Sequence, residues 1–286
     1  MTASYYGRPV LKAPVWRWPI PAYFFTGGLA ASSSTLAYAA RLTGRHGLAR
    51  TALGTSSAAL AASTAFLIED LGRPARFANM LRVAKVTSPM SVGTWLLSAF
   101  GAATTAATFA DLTRRLPAVG RVAEPVAAAL GPPVATYTAV LVADTAVPAW
   151  HDAYRELPFV FAASAAASGG AAATLLAPWS ESAPARTLAV AAAAAELAAT
   201  VVMQRRLGPT TGAPYHSGRA ATLGRAAKAL TATGAGLVAA GATRRPALGR
   251  TGAAAVLGGA LLTRFSVFQA GFPGDVSSAA APGTRA

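Results

Sequence analysis

The sequence predicts an all-α integral membrane fold with eight transmembrane helices. Two observations carry that prediction. Hydrophobic residues make up 53% of the 286-residue chain and charged residues only 12%, whereas a soluble domain carries about 25% charged residues. In addition, apolar runs of about 20 residues, enough to cross about 30 Å of hydrocarbon, recur along the whole chain. The 27 glycines sit mostly among Ala, Leu and Val, where small residues let helices pack closely in lipid.

Eight segments meet the length rule: 19–40, 51–71, 89–112, 122–146, 157–178, 184–203, 220–243 and 246–267. An N-terminal interfacial segment, 1–18, precedes them. It is polar, aromatic and broken by proline, without a signal-peptide cleavage pattern, so the first apolar run is expected to stay in the membrane. Trp16 and Trp18 are natural interface anchors for the first helix. The second helix runs into Glu69-Asp70-Leu71-Gly72-Arg73-Pro74. There Gly72 permits a tight exit and Pro74 prevents continuation. The stretch after it mixes Leu71, Phe77, Leu81 and Val83 with Arg76, Arg82 and Lys85, the pattern of a short amphipathic piece at the interface. Gly131-Pro132-Pro133 in the fourth segment predicts a kinked or broken helix. The sixth and seventh segments rest on alanine, which favours insertion only mildly, and Glu196 interrupts the sixth. A C-terminal tail, 268–286, follows the eighth.

An even number of crossings puts both chain ends on one face, here called side A. That face also carries the loops after the second, fourth and sixth helices. The net charge is +15, and the cations fall in short clusters between apolar runs. That is a bilayer-surface pattern; nucleic-acid binding would need them gathered on one face. Compact clusters on the opposite face, side B, are Arg41, Arg45 and Arg50; Arg114, Arg115 and Arg121; and Arg244, Arg245 and Arg250. They read as ordinary interfacial anchors, as do Asp111, Glu124 and Glu181 near helix ends. The chain has no cysteine, which excludes disulfides and thiolate-held iron–sulfur clusters within it. Its three histidines, His46, His151 and His216, all fall between apolar runs, so no histidine pair can hold a haem inside a bundle.

The residues that suggest chemistry gather near side A. Tyr137, Val140 or Leu141, and Asp144 recur at helical spacing and share a face. A carboxylate in or near hydrocarbon is costly, so Asp144 is a functional candidate, with interfacial hydration as the plain alternative. Asp70 ends a helix close to Arg73. Tyr23 and Gly27 lie one turn apart on the first helix, where Gly27 and Gly28 leave room for a flat ring or a neighbouring backbone. Glu196 is the deepest acid of the second half, either part of a proton route or a neutralised carboxyl.

These stretches resemble the NrfD / polysulfide-reductase family of membrane subunits. The resemblance rests on Trp16-x-Trp18-Pro19 with Tyr23 to Gly28, on Asp70-Leu71-Gly72-Arg73-Pro74-x-Arg76-Phe77-x-Asn79-Met80, and on Ser88-Pro89-Met90-Ser91-x-Gly93-x-Trp95. It continues with Tyr137-Thr138 through Leu141 and with Asp144-Thr145-Ala146-Val147-Pro148-Ala149-Trp150. Near the C-terminus, Arg264 and Phe268-Gln269-Ala270-Gly271 look like a weakened family ending. The resemblance implies two four-helix bundles, the first over 19–150 and the second over 151–267. It further implies exchange of electrons between membrane quinone (menaquinone or ubiquinone) and a docked iron–sulfur subunit, with no haem or cluster in this chain. That partner would be a four-cluster ferredoxin-like protein connected to a molybdenum or tungsten bis-pterin enzyme, a formate dehydrogenase-like one being favoured. Carried over to this chain, Tyr23, Gly27, Tyr137 and Asp144 would surround the quinone. Asp70 or Asp144 would carry protons, and Glu196, on the residue reading above, is a further candidate for the proton route. Arg73 would pair with a carboxylate and hold the loop, and Arg73, Arg76, Asn79, Arg82 and Trp150 would meet the partner. Two rival readings remain: a proton or solute transporter, supported by Gly131-Pro132-Pro133 and Glu196, and a membrane anchor without a quinone site.

Overall fold

The computed structural model describes residues 16–242 and 245–272. Most of the interfacial segment 1–18, most of the tail 268–286, and Arg244 of a side B cluster lie outside them. The described residues form eleven helical segments and no strand. Eight are long: α1 (Pro19–Leu42), α2 (His46–Leu71), α4 (Pro89–Thr113), α5 (Pro117–Ala143), α7 (Leu157–Leu176), α8 (Ala183–Thr211), α10 (Gly218–Gly241) and α11 (Pro246–Ala270). Three are short: α3 (Pro74–Met80), α6 (Pro148–His151) and α9 (Ala213–His216). Each apolar run of the sequence falls on one long helix. Five of these, α2, α5, α7, α8 and α11, are both long and apolar enough to cross a membrane. The Ala-rich α8 is among them, whereas α10 is not. α10 carries Arg219, Arg225 and Lys228 in its first half.

Helices α1 and α7 are the hub. α1 packs on α2, α5, α7 and α11, and α7 packs on α8, α11 and α5. α4 lies on α5, and α10 and α11 form the most extensive pair. The contacts use small residues, as expected where lipid gives no hydrophobic drive between helices. Gly234 and Gly252 let α10 and α11 approach so closely that a Cβ on either would meet the other backbone at 2.6–2.7 Å.

Pro132 and Pro133 do not break α5. Pro132 lacks an N–H, so the Ala128 carbonyl four residues earlier loses its helical donor. The Thr35 hydroxyl of α1 takes that place, 3.0 Å from the Ala128 oxygen. Re-satisfaction by a neighbouring side chain is what allows proline inside a membrane helix. Gly131 makes the approach possible, because a Cβ there would run into Thr35 and the Ala31 carbonyl. α8 is the helix that bends: Gly208 adopts φ 67° ahead of Pro209.

Side B is tied by charge. Arg41 of α1 holds Asp111 of α4 at 3.1 Å and Glu124 of α5 at 2.6 Å, and Arg50 of α2 reaches Asp111 at 3.4 Å. Glu181 accepts the Leu48 backbone N–H at 3.0 Å, satisfying one free donor at the start of α2. On side A the two described ends meet. Trp16 stacks on Trp150 with ring centroids 5.8 Å apart, and Phe272 meets the same indole edge-on at 6.0 Å.

Candidate functional site

A cavity of about 190 Å³ opens on side A among α1, α2, α3, α4 and α5. Each long helix contributes residues at helical spacing, so one stripe from each faces inward. α1 supplies Ile20, Tyr23 and Phe24 beside Trp16, and α2 supplies Leu67, Asp70 and Leu71. α4 supplies Met90, Thr94 and Leu97, α5 supplies Tyr137 and Leu141, and α3 adds Arg76 and Met80. The wall is overwhelmingly apolar. Its ionisable groups are Tyr23 and Tyr137, Asp70 at the end of α2 and Arg76 within the short α3.

The motif residues explain how this cavity is held open. Ser88 caps α4, its hydroxyl accepting from the Ser91 N–H at 3.5 Å, and Pro89 occupies the first helical position, where no donor is needed. The Ser91 hydroxyl donates to the Val83 carbonyl at 2.7 Å and accepts from the Lys85 N–H at 2.9 Å. The Trp95 indole N–H also donates to the Val83 carbonyl, at 3.2 Å. Together they draw the loop after α3 back onto α4. Gly93 lies against Tyr137: a Cβ there would clash with the ring edge at Cε2 and Cδ2. Gly93 therefore decides where the Tyr137 ring sits.

At the mouth, Gly72 closes α2 in the left-handed conformation at φ 71°, which glycine adopts without steric cost. Asp70 is half-buried and accepts the Arg17 backbone N–H at 3.3 Å, while the Arg17 guanidinium donates to the Glu69 carbonyl at 2.9 Å. The N-terminal approach to α1 is thus clipped to the end of α2. Arg76 donates to the Leu71 carbonyl at 2.9 Å.

Among the residues the sequence pointed to, the structure gathers Tyr23, Tyr137 and Asp70 around this one cavity. Tyr23 is 3% exposed, and its hydroxyl forms no hydrogen bond among the described residues. Gly27 stands elsewhere. It faces α2, where a Cβ would meet the Ser63 hydroxyl oxygen at 3.2 Å, so its small size serves helix packing. Asp144 continues the Tyr137–Leu141 stripe in sequence but is the C-cap of α5, with φ −78° and ψ 23°, and is exposed outside the cavity lining. The helix ends before the stripe completes another turn. Arg73, Asn79 and Arg82 are exposed around the mouth. Arg73 forms no ion pair among the described residues; the clip at Asp70 comes from Arg17.

Trp150, expected at a docking surface, is 0% exposed. Its indole N–H donates to the Val267 carbonyl at 2.6 Å, and its ring fills the space left by Gly271. It joins the start of α1 to the end of α11 and presents nothing to a partner. This also accounts for Phe268-Gln269-Ala270-Gly271: Phe268 packs on Trp150 at 6.3 Å. Glu196 lies in α8, away from this cavity, and is 1% exposed. Sequence reasoning gave no role to Gly93, Phe24, Thr94 or Arg264, because their importance depends on which helices neighbour them.

Tyrosine donors inside an apolar, ring-sized cavity, with a carboxylate at its aqueous mouth, suit a flat ligand bearing carbonyl acceptors. No curated protein matches the chain. A family model described as polysulphide reductase, NrfD, matches residues 9–206, which covers most of the sequence and the whole cavity. The chain belongs to the NrfD family, the integral membrane subunits of molybdopterin oxidoreductase-type complexes.

Proposed function

We propose that the cavity bounded by Tyr23, Tyr137 and Asp70 is the quinone site through which this subunit joins a membrane quinone pool to a docked iron–sulfur protein. The observation that carries the reading is the pairing of two phenols with an apolar wall at the membrane's edge, in a chain of this family. When bound, quinone supplies two-electron, two-proton redox chemistry. The chain's own residues bind, orient and exchange protons. Tyr23 and Tyr137 donate hydrogen bonds to ring oxygens. Asp70, in reach of side A water, takes up or delivers protons at its carboxylate oxygens. Apolar side chains exclude bulk water and strengthen those polar contacts.

A second cavity, about 600 Å³ and mostly apolar, runs between α2 and α4 and shares Leu97 with the first. Leu60, Ala61, Gly101 and Phe109 line it. It offers an isoprenoid tail a path from the ring site to the lipid.

In this proposal all eight long helices cross the membrane, with α1, α2, α4 and α5 as one bundle and α7, α8, α10 and α11 as the other. The exposed Arg73, Arg76, Asn79 and Arg82 around the mouth meet an iron–sulfur subunit of the four-cluster ferredoxin type. That subunit leads to a molybdenum or tungsten bis-pterin enzyme, for which a formate dehydrogenase-like subunit is favoured because such enzymes commonly partner this family. The transporter reading loses one of its supports, since α5 runs unbroken through Pro132 and Pro133.

The test uses the purified complex. Tyr23→Phe and Tyr137→Phe should each lower quinone-coupled turnover at least fivefold while leaving turnover with an artificial acceptor at the catalytic subunit intact. Full quinone turnover in both variants would sink the assignment. Formate-dependent quinone reduction by the same preparation would identify the catalytic partner, and its absence would remove formate from the reading.

A further inference from the structure

The second half of the chain contains a pair of buried ionisable groups that the quinone site does not use. Glu196 of α8 and Arg264 of α11 are each 1% exposed. Arg264 donates to the Phe161 carbonyl at 2.7 Å and lies over the Phe161 ring at 3.7 Å, yet its Nε and Nη1 have no partner. Both carboxylate oxygens of Glu196 also lack a hydrogen bond of good geometry, although the hydroxyls of Thr263 and Ser164 lie beside them, the first turned to the Gly259 carbonyl. Glu196 and Arg264 form no ion pair within 4.0 Å among the described residues. A structural ion pair would be expected to saturate these atoms, because each unsatisfied one costs free energy in a dry interior.

The unsatisfied carboxylate borders a narrow cavity of about 20 Å³. That is room for one water, which needs roughly 10–15 Å³ and two to four polar partners. Thr231, whose buried hydroxyl is likewise unpartnered, and Thr263 supply further polar atoms. Eight residues along α8, about 12 Å by helical rise, the cavity reaches Gln204, which accepts from the Lys228 ammonium at 2.7 Å. Both are half-buried. That end lies toward side A, because Tyr215, which also lines the cavity, donates to the Ala149 carbonyl next to Trp150. The charged or titratable groups around Glu196 are Arg264 on α11, Lys228 on α10 and Tyr215 on α9; α7 contributes the hydroxyl of Ser164.

We infer that Glu196 is a proton-binding site within the membrane, bordering a small cavity whose mostly apolar wall carries hydroxyls and extends toward side A as far as Gln204 and Lys228, with Arg264 buried nearby. A proton passes from the water in the cavity to a Glu196 carboxylate oxygen, and the hydroxide left behind is neutralised by a proton carried in by further water that enters from side A past Gln204 and Lys228. No bond other than O–H forms or breaks, and nothing is oxidised or reduced. The site is separate from the quinone cavity. Arg264 abuts α1 at Gly28, where a Cβ would lie 3.4 Å from Nη2, and Phe161 meets Phe24 of the quinone wall at 5.9 Å.

Infrared difference spectra of the full chain in lipid nanodiscs, recorded between acid and alkaline pH, test the inference. A carboxylic-acid C=O band is expected in the wild type, absent in Glu196→Gln and displaced in Glu196→Asp. It should shift to lower frequency promptly in D2O. The double variant Gln204→Leu with Lys228→Met should slow that shift at least tenfold. Should Glu196→Gln fail to fold, the displaced band of Glu196→Asp makes the assignment. The inference is overturned if no such band titrates at any pH, if it does not shift in D2O, or if exchange is as fast in the double variant. Tyr137→Phe should leave the band in place, so failure at the quinone site and failure here are told apart.

Discussion

The Tyr137 ring lies against the Cα of Gly93, with no space between them for a side chain. One helix's lack of a side chain thus positions another helix's donor. Gly93→Ala is expected to drive the ring from its place and weaken quinone-site inhibitor binding at least tenfold, about 1.4 kcal/mol, with the complex still assembled. Inhibitor titration of quinone turnover measures it. Unchanged affinity would mean that the position of Tyr137 does not matter.

The two acids near side A should separate experimentally. Asp70 lines the cavity, whereas Asp144 is an exposed C-cap outside it. Asp70→Asn should slow quinone-coupled turnover tenfold or more, with Asp144→Asn staying within about twofold of wild type. That ordering follows from general acid–base catalysis, which contributes about 10²–10⁴-fold when a group lies within reach of the reacting atoms. Equal losses, or a larger loss at Asp144, would place the proton route at the end of α5.

A tail path between α2 and α4 predicts that blocking it affects quinones according to tail length. Gly101 lines that groove, and a Cβ there would lie 3.9 Å from the Leu60 side chain, so the wild type has room. Gly101→Leu should raise the KM for a long-tailed quinone severalfold while leaving a tail-less analogue unaffected. An equal effect on both would move the tail elsewhere.

Thr35 should matter for stability, although it touches no site. Its hydroxyl serves the Ala128 carbonyl that Pro132 leaves without a donor. The isosteric Thr35→Val removes that donor and should cost about 1–3 kcal/mol, read as a lower midpoint of thermal unfolding in detergent. Thr35→Ser should restore most of it. No change in Thr35→Val would mean that the carbonyl finds water or tolerates isolation.

Much of the cavity was legible in the sequence. Tyr23 and Tyr137 stood out by helical spacing, Asp70 by its place at a helix end, and all three by the family motifs, whereas the cost of a carboxylate in hydrocarbon pointed to Asp144, which lies outside the cavity. Gly27 stood out for its small size and Trp150 for its place in a motif, and in the structure both pack against neighbouring helices. Whether a glycine faces a ligand or a helix, and whether a tryptophan faces water or a neighbour, depends on angular position against helices distant in sequence. The break expected at Pro132 failed to appear for the same reason: its remedy, Thr35, lies on another helix.

The amino-acid order by itself determined the all-helical membrane class, the eight long apolar runs and the absence of thiolate ligands. Those properties follow from hydrophobic length and residue type, which are one-dimensional quantities. Only the tertiary structure decided that five helical segments share one cavity on side A. It also decided that Gly93 rather than Gly27 makes its room, and that Glu196 and Arg264, 68 residues apart in sequence, are both buried in the second half of the chain. In lipid, side-chain fit and hydrogen bonding choose a helix's neighbours, and both are set by where each residue falls around its helix.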